Sequence, residues 1–335
     1  MESRVSAPIK RKKLKLLGDV MGLRPFPLRL KQALIAIRGE EDVPKSTWGL
    51  SSLKQLYPGI SPRLWRGKEF IKGKVIISNL YNHTQTPISE GWSVRKTQTR
   101  DYRGGGLTYD SHNGTDFAIP VGTRVLTAAA GEVVAVMSEF NRGGLKIFIE
   151  HGSGLITTYA HLARALVQVG DIVQRGQAIA ISGYSGLDGA VTYPFGIPHV
   201  HFNVWLNNEP VDPFPHQGEE SLWRAGDLPA CPTNQAATFM PSEFDSDLVL
   251  QAISFCKTAS VRKTLREIDC PRQQAFHTII HKNYYPTRFH KRVNLYGQEF
   301  PRQPLLDLPF SADDFNGVVF LDDILEERRR KRRAK

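Results

Sequence analysis

Between residues 70 and 214, apolar and polar positions alternate in short runs separated by glycine-bearing turns. Strand-like runs fall at 74–78, 123–127, 132–137, 146–150, 155–159, 178–182 and 200–205. Runs of this length and spacing predict an all-β core, an antiparallel sandwich or open barrel, with no helix interrupting it. Residues 1–60 read differently, with clustered bases, a short apolar stretch at 33–37, and turn signals at Tyr57-Pro58-Gly59 and Ser61-Pro62. Beyond Pro213 the pattern changes again. Residues 215–241 are loop-like, with Pro215, Pro229, Pro232 and Pro241. Across 243–268, the positions Val249, Ile253, Cys256, Val261, Leu265 and Ile268 fit helical spacing, and 273–283 predicts a second helix. The expected division is a basic N-terminal segment (1–65), a β-rich core (66–214) and a loop-rich, partly helical C-terminal extension (215–335). No internal repeat occurs.

Composition narrows the class. Apolar residues make up 41% and charged residues 23% of 335, which excludes a wholly disordered chain. No run of about 18 apolar residues occurs, so no transmembrane helix is expected. The formal charge of +11 sits at the ends: residues 1–15 carry a net +5 and 328–335 a net +7, leaving a body near −1. The basic ends read as solvated, flexible tails able to bind anionic polymers or surfaces, and no specific nucleic-acid motif accompanies them. Cys231, Cys256 and Cys270 are an odd number without metal-like spacing, so no disulfide framework is expected. Asp19 interrupts the apolar run after the N-terminal bases, which argues against a secretory signal.

Three short motifs carry the candidate chemistry: His112-Asn113-Gly114-Thr115-Asp116, Tyr159-Ala160-His161-Leu162 and Pro198-His199-Val200-His201-Phe202. In a strand, side chains alternate faces. His199, His201 and Asn203 therefore share one face, and Val200, Phe202, Val204 and Leu206 share the other, which a core would take. Gly114 lets the chain bend so that His112 and Asp116 converge. Two imidazoles and a carboxylate suit zinc, and three protein ligands leave a fourth position for water, as in catalytic zinc sites.

The stretch from about Trp92 to Phe214 resembles the lysostaphin/LytM-type zinc metallopeptidases, which cleave peptides of bacterial peptidoglycan. The resemblance rests on the three motifs together with Pro120-x-Gly122-Thr123, Gly131-x-Val133, Ile149-x-His151-Gly152, Val169-Gly170-Asp171-x-Val173, Gly176-Gln177, Ser185-Gly186 and Val211-Asp212-Pro213, all in the family's order. It covers a little over a third of the chain. It implies a duplicated-hybrid-motif-like β core, one Zn2+ per chain held by His112, Asp116 and His201, and His161 and His199 as catalytic, non-ligand histidines. Which of those two is the base stays open. Tyr109, Asn113 and Asn203 are candidates for orienting substrate. The implied substrate is a stem or cross-bridge peptide of peptidoglycan, and the implied location is the cell envelope, periplasm or exterior. Residues 187–197 lengthen a loop that borders the substrate groove in the family.

Other histidines read blandly. His151 is expected to be structural, His277 and His281 to pack on a helix, and His83, His216 and His290 to lie at the surface. Rival functions are a catalytically silent wall-binding or activating module, a zinc peptidase acting on protein inside the cell, and nucleic-acid binding through the basic tails. A complete core leaves about 120 further residues, from which the C-terminal extension is expected to pack against or near the active groove.

Overall fold

The computed structural model describes residues 17–233 and 238–334. The basic stretch 1–15 lies outside the described residues. The chain opens with α1 (Leu17–Val20), α2 (Phe26–Arg38) and α3 (Ser61–Trp65). The β region contains β1 (Val75–Asn79), β2 (Thr115–Ala118), β3 (Arg124–Leu126), β4 (Gly131–Glu139), β5 (Gly144–Glu150), β6 (Leu155–Ala165), β7 (Ile172–Val173) and β8 (Ala178–Ser182). A short helix α4 (Leu187–Thr192), β9 (His199–Leu206) and β10 (Glu209–Val211) complete it. Helices α5 (Ser246–Ser254), α6 (Ala259–Arg266) and α7 (Pro271–Tyr284) follow, then β11 (Val318–Phe320) and α8 (Leu321–Arg333).

The described strands form one sheet, ordered β11-β1-β2-β9-β6-β5-β4-β7, with β10 on β9 and β3 joined through β8 to β6. Every pair is antiparallel except β1 with β11. The predicted alternation in β9 is realised: Val200, Phe202, Val204 and Leu206 enter the main core with Phe117, Tyr159 and Trp223. That core also takes Ile60 and Leu64 from the N-terminal segment, and Leu308, Phe310 and Leu321 from the C-terminal extension. On the opposite face, Phe148, Ile156 and Trp205 pack with Val249, Phe276 and Ile279 of α5 and α7. Both faces of the central strands are thereby buried.

Three details depart from the sequence-based expectations. The 187–197 insertion contains α4, a helix of six residues, too short for a 3.6-residue period to register. The helical pattern across 243–268 is split into α5 and α6, because the backbone between them pairs elsewhere: Lys257 N donates to Arg288 O, and His290 N to Phe255 O. The basic run 328–333 is not an irregular tail but the end of α8, with i,i+4 ion pairs Arg330–Glu326 and Lys331–Glu327 on its exposed face.

Candidate metal centre and its groove

Adjacent antiparallel strands assemble the site. β2 pairs with β9 so that Asp116 lies opposite His201, and β9 pairs with β6 so that His201 lies opposite Ala160. His112 reaches the same point from the turn before β2. Gly114 matters here for closeness rather than bending: a Cβ on it would stand 2.6 Å from Phe202 O and 3.0 Å from the His201 ring. A side chain at 114 would push the His112–Asp116 turn away from β9.

Three ligand-type atoms converge. His112 Nε2 lies 3.0 Å from Asp116 Oδ1 and 3.1 Å from His201 Nδ1, and His201 Nδ1 lies 2.7 Å from Asp116 Oδ1. The remaining polar atoms fix this set. His112 Nδ1 donates to Leu80 O at 2.6 Å, which turns Nε2 inward. Asn79 Nδ2 donates to Asp116 Oδ2 at 2.8 Å. Two inward nitrogens and one carboxylate oxygen, all buried, form an acceptor-rich cluster that fits a divalent cation of zinc's ligand preference. Burial alone would raise the Asp116 carboxyl. Neighbouring His112 and His199, with hydrogen bonds from His112 and His201, reverse this and hold it well below the usual carboxylate range. Burial pushes His201 down, against the pull of Asp116.

His161 and His199 flank the cluster with ring centroids 4.8 Å apart. Each Nδ1 donates to a main-chain carbonyl at 2.8 Å, His161 to Ser185 O and His199 to Ile197 O, which leaves each Nε2 clear of the main chain. His199 Nε2 stands 3.5 Å from Asp116 Oδ1. His161 sits in a β-bulge of β6 with φ 60°, a left-handed conformation that non-glycine residues rarely adopt. The bulge turns its ring toward β9, and His161 N–H is held by Gly143 O at 2.8 Å. Burial first, then the charge of His199, drives the His161 imidazole well below its ordinary value, favouring the neutral form.

Tyr109 lies with its ring 4.5 Å from that of His112. Asn203 donates to Asn113 O and Oδ1 at 2.8 and 3.0 Å, tying β9 to the His112 turn. The structure thus brings all eight sequence-derived candidates to one place. A cavity of about 270 Å³ adjoins Asp116 and His199, and a narrower one of about 60 Å³ adjoins His161 and His201. Trp48, Tyr109 and Asp188 line both. Asn283 and Tyr284 at the end of α7 wall the narrower one, so the C-terminal extension does border the groove. A separate depression of about 710 Å³ beside Arg38, Asp42 and Lys257 touches none of these residues.

Sequence reasoning missed Asn79, Trp48, Asp188 and Tyr284, which carry no motif signal. Outside the site, His151 is structural as expected, bonding Ala130 O at 2.9 Å and Thr157 Oγ1 at 2.7 Å. His83 and His216 are not free surface residues: their rings stack at 3.9 Å, and His83 Nε2 bonds Asp212 at 2.9 Å. His290 is exposed.

Comparison with known proteins agrees with the site. Residues 110–213 match the profile of Peptidase family M23. A peptidoglycan DD-endopeptidase of Vibrio cholerae, ShyB, is 37% identical over 145 residues, spanning 42% of this chain and 30% of that protein. ShyA from the same organism is 41% identical over 101 residues, 30% of this chain and 22% of that one. The match thus spans less than a third of the length of these relatives. The catalytic domain of lysostaphin from Staphylococcus simulans, a solved structure, is 31% identical over 31% of this chain and 77% of that one, at a TM-score of 0.27.

Proposed function

Since residues 110–213 form a peptidase family M23 domain of the lysostaphin/LytM type, we propose that the chain is a zinc-dependent endopeptidase acting on peptidoglycan peptides in the cell envelope. The observation that carries this reading is the convergence of His112 Nε2, Asp116 Oδ1 and His201 Nδ1 beside two histidines each anchored through Nδ1. His112, Asp116 and His201 would hold the ion. Zinc bound there would polarise the scissile carbonyl and lower the pKa of a water molecule. The chain's own residues do the rest. His161 and His199, each anchored through Nδ1, offer Nε2 as proton acceptor toward water and, once protonated, as donor to the leaving amine. Asn113 and Asn203 form one wall along which the substrate backbone lies, and Tyr109 closes the space beside His112. Trp48 and Tyr284 restrict access of water and substrate to the groove. No described helix is long and apolar enough to cross a membrane.

The test is metal content together with release of soluble fragments from purified peptidoglycan. We expect one zinc per chain, release abolished by chelator and restored by zinc, and His201→Ala losing both metal and release. His161→Ala should keep the metal and lose release by about a hundredfold or more. Zinc without release from any wall preparation would sink the endopeptidase reading in favour of a silent wall-binding module.

A further inference from the structure

Arg142 is a cation with no ion-pair contact among the described residues. It lies in the turn between β4 and β5, and its guanidinium makes no hydrogen bond or ion pair with any of the described residues. Its Nε is buried without an acceptor. The group is nevertheless held in place. Its central carbon lies 5.7 Å from the ring centre of Trp92 and 5.6 Å from that of Tyr285. Below it, Arg142 O accepts from Lys146 Nζ at 2.7 Å, and Gly143 O accepts from the His161 N–H at 2.8 Å. The turn that carries Arg142 is therefore tied to the strand that carries His161. Asp188 and Glu139 act on this desolvated guanidinium from beyond ion-pair distance, and a carboxylate in direct contact would offset more of its burial cost.

Its surroundings define the ligand. Arg142 lines both the narrow cavity that reaches His161 and His201 and an adjoining cavity of about 270 Å³ beyond Tyr284. The other cation of that outer cavity, Arg292, is already neutralised by Glu209. The geometry points to Arg142 as a substrate-anchoring residue that binds a free carboxylate of the peptide one pocket away from the scissile bond, so that the chain selects carboxylate-bearing peptides over amidated ones. This rests on the endopeptidase reading above. A planar guanidinium with its faces against rings keeps its N–H edge for a bidentate carboxylate. Asp188 lines the narrow cavity without ion-pairing to Arg142.

The test compares purified peptidoglycan before and after its free carboxylates are converted to amides with carbodiimide and ammonia. Release is measured with the zinc-loaded full chain, alongside equilibrium binding of the corresponding soluble fragments to the zinc-loaded His161→Ala protein. We expect amidation to lower wild-type kcat/KM about tenfold or more, and Arg142→Gln to lose about as much on native wall. Arg142→Gln should show no further loss on amidated wall, and Arg142→Lys should recover part of the difference. Unchanged melting temperature and zinc content in Arg142→Gln would exclude misfolding. If the two losses multiply, or if Arg142→Gln falls equally on both substrates, the anchor is wrong. If the wild type releases nothing, the endopeptidase reading fails by itself. Binding then decides the anchor: preference for native over amidated fragments, erased by adding Arg142→Gln, supports it, and no preference overturns it.

Discussion

Asn79 carries no chemistry of its own, yet it donates to Asp116 Oδ2, the oxygen that His112 and His201 leave free. Together with Leu80 O on His112, it decides which ring nitrogen and which carboxylate oxygen point inward. Such partners orient the ligands and raise their affinity for a metal. Asn79→Ala should therefore weaken zinc binding about tenfold or more, read by competition with a chromogenic chelator, while leaving the thermal unfolding of the metal-free chain nearly unchanged. Equal affinity would mean that Asp116 needs no second partner. The five titratable site residues were legible in the sequence because their types and spacings are unusual together. Asn79 was not, since it only ends a strand-like run, and a backbone carbonyl such as Leu80 O or Ser185 O leaves no mark on the residue that bears it. The bulge that rotates His161 into place is equally invisible in Tyr159-Ala160-His161-Leu162.

At the scale of elements, alternation in β9 correctly separated the histidine face from the core face. It could not show that the histidine face is covered too, because the period of a strand says nothing about what packs above it. The cover comes from α5 and α7, whose apolar residues Val249, Ile253, Phe276 and Ile279 meet Phe148, Ile156 and Trp205. The main core also depends on Leu306, Leu308, Phe310 and Leu321 from far beyond the M23 match. Removing residues 243–335 should therefore do more than uncover the groove. It should expose a broad apolar sheet face and abolish cooperative unfolding, with strong binding of a hydrophobic dye. A milder probe, Ile279→Ala, should cost about 2–5 kcal/mol in urea unfolding. A truncated chain that melts cooperatively at the full-length temperature would show that the β core stands alone.

Across the whole molecule, buried histidines outside the His112–Asp116–His201 cluster tie stability to pH. Burial drives His151 down to about 4, and hydrogen bonding to Ala130 O offsets this only in part. Burial also drives His281, in α7, down to about 4. In the unfolded chain such groups protonate near 6.5. Below that value the unfolded state binds protons that the folded state does not, so stability is full above about pH 6.5 and falls as the pH drops toward 4. For His151 alone the loss between pH 7.5 and 5 is about 2 kcal/mol. Urea unfolding of the metal-free wild type should show a marked fall over that range. His151→Gln should be less stable at pH 7.5, because it loses bonds to Ala130 O and Thr157 Oγ1, but its stability should fall less on acidification, by about 2 kcal/mol. The two proteins differ only at position 151, so the difference between their pH profiles isolates that residue. Parallel pH profiles would show that this histidine is not held neutral by the fold.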